Sequence, residues 1–197
     1  MRVAPNVSPK QWGPPAWRLL HTIGGCVRSV EDLDQAQALF MSLAWLLPCS
    51  RCRDAYSDHL RIWPFPLAAK AVQRWVFDLH NHVNRRLGVP ASAQPSWASV
   101  LAAARARPCS AGPDAPEAFF RALVTNHLGG YATTPMEFLD AHIHFWKAVA
   151  HFFPNHGIDG VAAAALKGSK PALRHALGLA KVAEESTTCA ITCAVTK

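Results

Sequence analysis

Apolar residues recur along this chain at helical spacing, and the punctuation between them is proline and glycine. From Glu31 to Leu46 they fall at Leu33, Ala36, Leu39, Phe40, Leu43 and Ala44, with Leu47 next, which is one face of an amphipathic helix. Ahead of it, Ser8-Pro9-Lys10-Gln11 reads as a helix start, with Ser as N-cap, Pro in the first position and Gln in a capping box. That first helix carries Trp17, Leu20 and His21 and is expected to stop at Gly24-Gly25. Pro48 interrupts the backbone, and Cys49 opens a third helix that runs to about Leu60. A fourth spans about Leu67 to Leu87, closed by Gly88 and Pro90. Pro95-Ser96-Trp97 opens a fifth, shorter helix that ends near Arg107-Pro108.

The stretch from Cys109 to Pro116, rich in Pro, Gly and Asp, reads as a linker. Three further helical patterns follow near 116–128, 135–153 and 160–182. Alternation of period two never exceeds about four residues, and there is no Asn-Gly or Asp-Gly hairpin turn. The pattern therefore predicts an all-α chain. A helical bundle occupies 8–108, and a small helical region at 116–183 is either a second unit or an extension packed on the bundle. A polar tail follows at 184–197.

Composition narrows the function classes. Half of the 197 residues are hydrophobic and 17% are charged, so the chain is expected to fold around a core. The net charge of +7 is scattered in pairs such as Arg51/Arg53, Arg85/Arg86 and Arg105/Arg107 rather than forming a stripe. Nucleic acid is therefore not an expected partner. The first residues lack an apolar signal core, and runs such as Val161 to Leu166 are far short of the ~20 residues a membrane span needs. A soluble chain made in the cytosol is expected, and six cysteines there suggest free thiols, metal or catalysis more than a disulfide scaffold.

The chemistry concentrates at Cys49-Ser50-Arg51-Cys52. Two thiols one helical turn apart can close into a reducible disulfide or share a metal ion. Zinc would need two more ligands from Cys189, Cys193 or His59, and no second Cys-x-x-Cys or His-x-x-x-His follows at finger spacing. A thioredoxin-type site would need strands, and none is evident. His142, His144, His151 and His156 read as the edge of an aromatic packing helix before they read as a metal site. Trp12, Trp45, Trp63 and Trp146 are expected in the core. Two pairs bracket the cysteines: Trp17 with His21, and His80 with Asn84, each four residues apart and so on one helix face.

In this order and at these separations, Trp17-Arg18-Leu19-Leu20-His21, Pro48-Cys49-Ser50-Arg51-Cys52 and His80-Asn81-His82-Val83-Asn84-Arg85-Arg86-Leu87-Gly88 resemble the ERV/ALR family of FAD-dependent sulfhydryl oxidases. The likeness covers roughly residues 12 to 97. It implies an FAD-binding four-helix bundle with a short fifth helix. It also implies that Gly13, Trp17, His21, Cys52, His80, Asn81, Val83, Asn84, Arg85 and Leu87 contact the cofactor. Cys52 would then lie against the isoalloxazine, and Cys49 would receive electrons from a dithiol protein substrate, with O2 as final acceptor and hydrogen peroxide as product. Family members are commonly homodimers through bundle helices. Virus-encoded members carry divergent extensions, which would put such a chain in host cytoplasm or virion.

Two positions depart from the family pattern. Val89 stands where a lysine helps hold the pyrophosphate, so Arg85, Arg86 or a residue of another helix must replace it. Phe77 stands where many members have a structural cysteine. Cys189 and Cys193 in the tail are the candidate for a second, mobile relay pair. Cys26 and Cys109 are either a structural bridge or two unrelated thiols. The rival reading keeps the helices but makes Cys-x-x-Cys structural, in a zinc-binding or partner-binding module.

Overall fold

The computed structural model describes residues 8–106, 109–112, 116–125 and 136–154, together with 162–164, 167–168, 172–173 and 176. Every regular element among them is helical. In chain order they are α1 (Pro9–Cys26), α2 (Val30–Leu46), α3 (Ser50–Ile62), α4 (Ala69–Arg86), α5 (Trp97–Ala106), α6 (Glu117–Thr125) and α7 (Met136–Phe152), with 3-10 turns at Ala91–Ala93 and Cys109–Ala111. The third C-terminal pattern, 160–182, and the tail fall largely or wholly outside the described residues.

The helix ends follow local chemistry. The Ser8 hydroxyl accepts from Lys10 N–H at 3.3 Å, one residue earlier than a capping box requires. The reciprocal box forms instead at α2. There the Ser29 hydroxyl accepts from Asp32 N–H and the Asp32 carboxylate accepts from Ser29 N–H. Gly88, with φ of 71°, ends the α4 run as expected of a left-handed cap.

α1 does not stop at Gly24-Gly25 but continues to Cys26. The reason lies in packing. A Cβ on Gly24 would stand 3.1 Å from Val76 Cγ2 and 3.4 Å from Gln73 Cα, so the glycine lets α4 come close rather than ending a helix. Two of the four tryptophans assigned to the core are also misplaced by the pattern. Trp12 and Trp146 are buried, whereas Trp45 and Trp63 are 47% and 48% exposed. Trp63 sits past the end of α3, where its carbonyl accepts from Trp75 Nε1 at 3.2 Å.

One apolar core runs through the molecule. Leu19 and Ile23 of α1, Leu39, Phe40 and Leu43 of α2, and Val72 and Val76 of α4 are fully buried in it. Phe119 of α6 and Leu139 and Phe145 of α7 belong to the same cluster. Each such burial contributes ~1.5–3 kcal/mol. α7 packs along α2, and α6 packs on α1 with Trp12 stacked on Phe119 at 5.9 Å. The C-terminal helices are therefore an extension of the bundle core rather than a separately cored unit. His151 near the end of α7 fastens that packing through Asp32 Oδ1, 2.8 Å from its Nε2. No helix among the described residues is long and apolar enough to cross a membrane.

Candidate functional site

A cleft of about 1010 Å³ opens between α1, α4 and α5. α1 contributes Gly13, Trp17, Arg18 and His21 at helical spacing, with Lys10 one turn earlier. α4 contributes His80 and Asn84, and Leu87 and Val89 follow from the turn beyond it. α5 supplies Ser99, Val100, Ala103 and Ala104 as the facing wall. The two i, i+4 pairs singled out in the sequence thus meet across one cavity.

Their rings pack against each other. Trp17 stacks on His80 with centroids 4.1 Å apart and planes 11° from parallel. His21 Nε2 lies 2.9 Å from His80 Nδ1, and the other His21 nitrogen, Nδ1, is buried without a hydrogen-bond partner. Burial lowers the His21 pKa to about 4. Burial, with the neighbouring His21 adding to it, does the same to His80. Both imidazoles are therefore neutral near pH 7, which suits a site that uses them as flat, hydrogen-bonding surfaces.

Other residues of the expected cofactor set lie elsewhere. Asn81 turns its amide to Pro95 O at 3.2 Å, tying α4 to the approach to α5, while its Oδ1 is buried without a hydrogen-bond partner. Val83 packs against the core, and Arg85 is exposed; neither lines the cleft. His82 joins a different ring cluster with His59 and Trp63, at 5.1 Å from each. Burial, then the charge of His82, lowers the His59 pKa to about 4.

Cys49 and Cys52 form a disulfide at the start of α3, with Cα atoms 5.0 Å apart. Neither lines the cleft. Cys49 is the N-cap, and its sulfur accepts from Cys52 N–H at 3.2 Å. This position at the positive end of the helix dipole favours a thiolate when the pair is reduced. Arg53 holds the entry to the helix by donating to Leu47 O at 2.7 Å.

Cys26 and Cys109 are also joined, with Cα atoms 5.7 Å apart, and both residues line the cleft. At Phe77, where the family pattern has a cysteine, the ring packs on Trp97 of α5 at 5.3 Å under the Arg74 guanidinium. Cys189, Cys193 and His156 lie outside the described residues. His144 is exposed, His142 is buried, and no group of three His, Cys, Asp or Glu side chains suited to a metal ion occurs among the described residues. Sequence reading did not single out Lys10, Arg18 or the α5 wall: Arg18 lies within the Trp17–His21 motif only at an unspecified position, and the others belong to no motif of fixed spacing.

An all-α bundle with a helix-capping disulfide and a ring-lined cleft is a narrow class of protein. The sequence model of the Erv1/Alr family matches residues 14–101. A probable FAD-linked sulfhydryl oxidase of Acanthamoeba polyphaga mimivirus is 33% identical over 89 residues, 42% of this chain and 62% of that one. The FAD-linked sulfhydryl oxidase of African swine fever virus (isolate Warthog/Namibia/Wart80/1980) is 32% identical over 83 residues, 39% of this chain and 67% of its own length. That of Oryza sativa subsp. japonica is 30% identical over 91 residues, 44% and 47% of the two chains. The chain belongs to the Erv1/Alr family. Viral relatives among the matches agree with the expectation of a virus-encoded member. The chain spans 62% of the length of the mimivirus relative. No solved structure matches it.

Proposed function

We propose that this chain is an FAD-dependent thiol oxidase that forms disulfide bonds in dithiol substrates. The observation that carries the reading is the cleft where Trp17 stacks on His80 while His21 keeps a buried nitrogen without a partner. Its volume of about 1010 Å³ is at the upper end of the ~300–1,000 Å³ typical of cofactor sites. Flat rings supply contact area, and His21, His80 and Asn84 supply the few polar groups that fix orientation. Lys10 and Arg18 on the α1 side are the cations suited to the diphosphate, in place of the lysine absent at Val89. FAD, when bound, would accept an electron pair from the dithiol centre and deliver it to O2, giving hydrogen peroxide.

The chain's own residues carry the thiol chemistry. A substrate thiolate attacks Cys49 Sγ, the Cys49–Cys52 bond breaks, and Cys52 leaves as a thiolate. The second substrate thiolate then displaces Cys49, so the substrate gains a disulfide and the pair holds two electrons. The helix N-terminus stabilises the Cys49 thiolate released in that second step. In this reading Cys52, which does not itself line the cleft, is the sulfur that would pass the electron pair on. A protein dithiol is the expected substrate, reached through Cys189 and Cys193 as a relay. Removing residues 186–197 should slow oxidation of proteins and spare small dithiols.

A homodimer is the expected assembly. Because α7 lies along α2, the second copy would dock on the remaining bundle surface, where Met41 and Trp45 are 45% and 47% exposed. Light scattering measures that state. Host cytoplasm or virion is the matching location.

The deciding experiment is the visible spectrum of the purified chain, followed by oxygen uptake with dithiothreitol. Flavin absorption and oxygen uptake are expected, and Cys52→Ser should keep the flavin and lose turnover. A Cys52→Ser chain that still consumes oxygen would refute the assignment.

A further inference from the structure

The disulfide between Cys26 and Cys109 forms part of the cleft itself. Its two residues line the cavity beside Ser99, Ala103 and Ala104 of α5. The helix it follows is weakly held. Of the ten residues in α5 only Val100 is buried, and an isolated helix of this length is marginal in water. α5 can serve as a wall only if something presses it onto α1 and α4.

The Asn81 amide on Pro95 O and three further contacts do so. At its start, Trp97 packs on Phe77, with the Arg74 guanidinium 5.3 Å and 5.1 Å from the two ring centres. Arg74 is itself held by Asp78 at 3.0 Å. Further along, Ala104 packs beside Gly25, near enough that a Cβ on that glycine would stand in van der Waals contact with Ala104 Cβ at 3.4 Å. At its end, Cys109 is bound covalently to Cys26, the last residue of α1. The bond sits at the edge of the core: Cys26 is 8% exposed and belongs to it, and Cys109 packs against it half-buried, whereas Leu19, Ile23, Leu39, Leu43, Val72 and Val76 are at most 1% exposed within the same cluster.

We propose that Cys26–Cys109 is a latch: it holds α5 shut against α1 and so retains the bound cofactor, without itself taking part in electron transfer. Opening it frees the far end of α5 and turns an enclosing wall into a hinged flap, while the bundle beneath stays folded. The proposal rests on the cofactor reading above for its ligand, and on the α5 contacts alone for its mechanics.

Removing a disulfide that closes a loop this long also lowers global stability, so the test must read α5 separately. It uses the full chain with its other four cysteines replaced by serine, purified with its flavin. A phosphine then opens Cys26–Cys109 in the folded protein: the S–S bond breaks, both sulfurs become thiols, and the phosphine is oxidised to its oxide. Flavin release is followed by fluorescence on dilution, and amide hydrogen exchange is followed by mass spectrometry.

Release is expected to quicken by about tenfold or more. Peptides covering Trp97–Ala106 should lose protection while those of α2 and α4 keep theirs. Release unchanged after opening, or protection lost equally in α2 and α4, would overturn the latch. A Cys26→Ala/Cys109→Ala variant should match the opened protein in both measurements. A parent that carries no flavin would refute the cofactor reading alone, because exchange in α5 still reports the latch.

Discussion

His21 Nε2 faces His80 Nδ1 at 2.9 Å, so one ring must donate while the other accepts. The pair cannot take a second proton between those nitrogens without breaking the bond. Burial lowers both pKa values to about 4, against ~6.5 in an unfolded chain. As pH falls, the unfolded chain therefore binds protons first. The stability from these neutral rings is complete above ~6.5 and is lost as pH drops through about 4. Thermal melts of the flavin-free chain should show a steady loss of melting temperature across that window. The loss should be on the order of 1 kcal/mol per ring once residual solvent contact is allowed for. A His21→Gln/His80→Gln chain should show a shallower slope.

Lys10 and Arg18 provide a second test, because cations on an exposed cleft rim act through charge that salt can screen. Lys10→Ala and Arg18→Ala are each expected to weaken FAD binding by about tenfold, the lower range of a charge-assisted hydrogen bond. Both should also flatten its dependence on ionic strength. Arg85→Ala, at an exposed position that does not line the cleft, should leave FAD affinity unchanged. Titration calorimetry at two salt concentrations checks all three.

Two glycines of α1 should respond to the same substitution with opposite signs. Alanine gains up to ~1 kcal/mol of helix propensity over glycine at either site. At Gly24 the new methyl would meet Val76, which is fully buried and cannot retreat, so Gly24→Ala is expected to cost ~1–3 kcal/mol net. At Gly13 nothing lies within 4 Å, and Gly13→Ala should raise the melting temperature of the flavin-free chain. Urea denaturation of the two variants reads the difference directly.

Asp32 carries two duties, closing the capping box of α2 and receiving His151 from α7. Burial by itself would raise its pKa. Hydrogen bonds from His151, from the Arg28 and Ser29 amides and from the Ser29 hydroxyl override this and hold it down to about 2. Its contribution is present above ~3.9 and disappears as pH falls through about 2. Asp32→Ala should cost ~1–3 kcal/mol near neutral pH. It should also increase amide exchange at the C-terminal end of α7.

The parts of the molecule that were legible in sequence are those fixed by local chemistry. Pro48 and Cys49 mark the start of α3 because a capping atom and an interrupted backbone are enough to start a helix. Gly88 marks an end because its φ of 71° suits glycine. Gly24 misled because the same residue type also serves close helix packing, and only the presence of Val76 distinguishes the two uses. Trp45 and Trp63 misled because ring size alone says nothing about which helix face a neighbour covers. At the site, Trp17, His21, His80 and Asn84 could be read from their spacing. The pairing of Cys26 with Cys109 could not, since thiols 83 residues apart meet only through the tertiary fold. Lys10 and Arg18 were hidden for the same reason: a cation becomes a cleft residue only once α1, α4 and α5 have assembled.

The packing of α7 along α2 also sets a timetable for synthesis. The apolar face of α2 leaves the ribosome about a hundred residues ahead of the helix that covers it, which at translation rates of ~5–20 residues per second is roughly 5–20 s of exposure. During that interval the part of α2 that α7 will cover stays open, while Cys26, Cys49, Cys52 and Cys109 have all emerged and are free to pair wrongly. A chain of this build would gain from a chaperone, or from a pause in translation, at the stage before its last helices arrive.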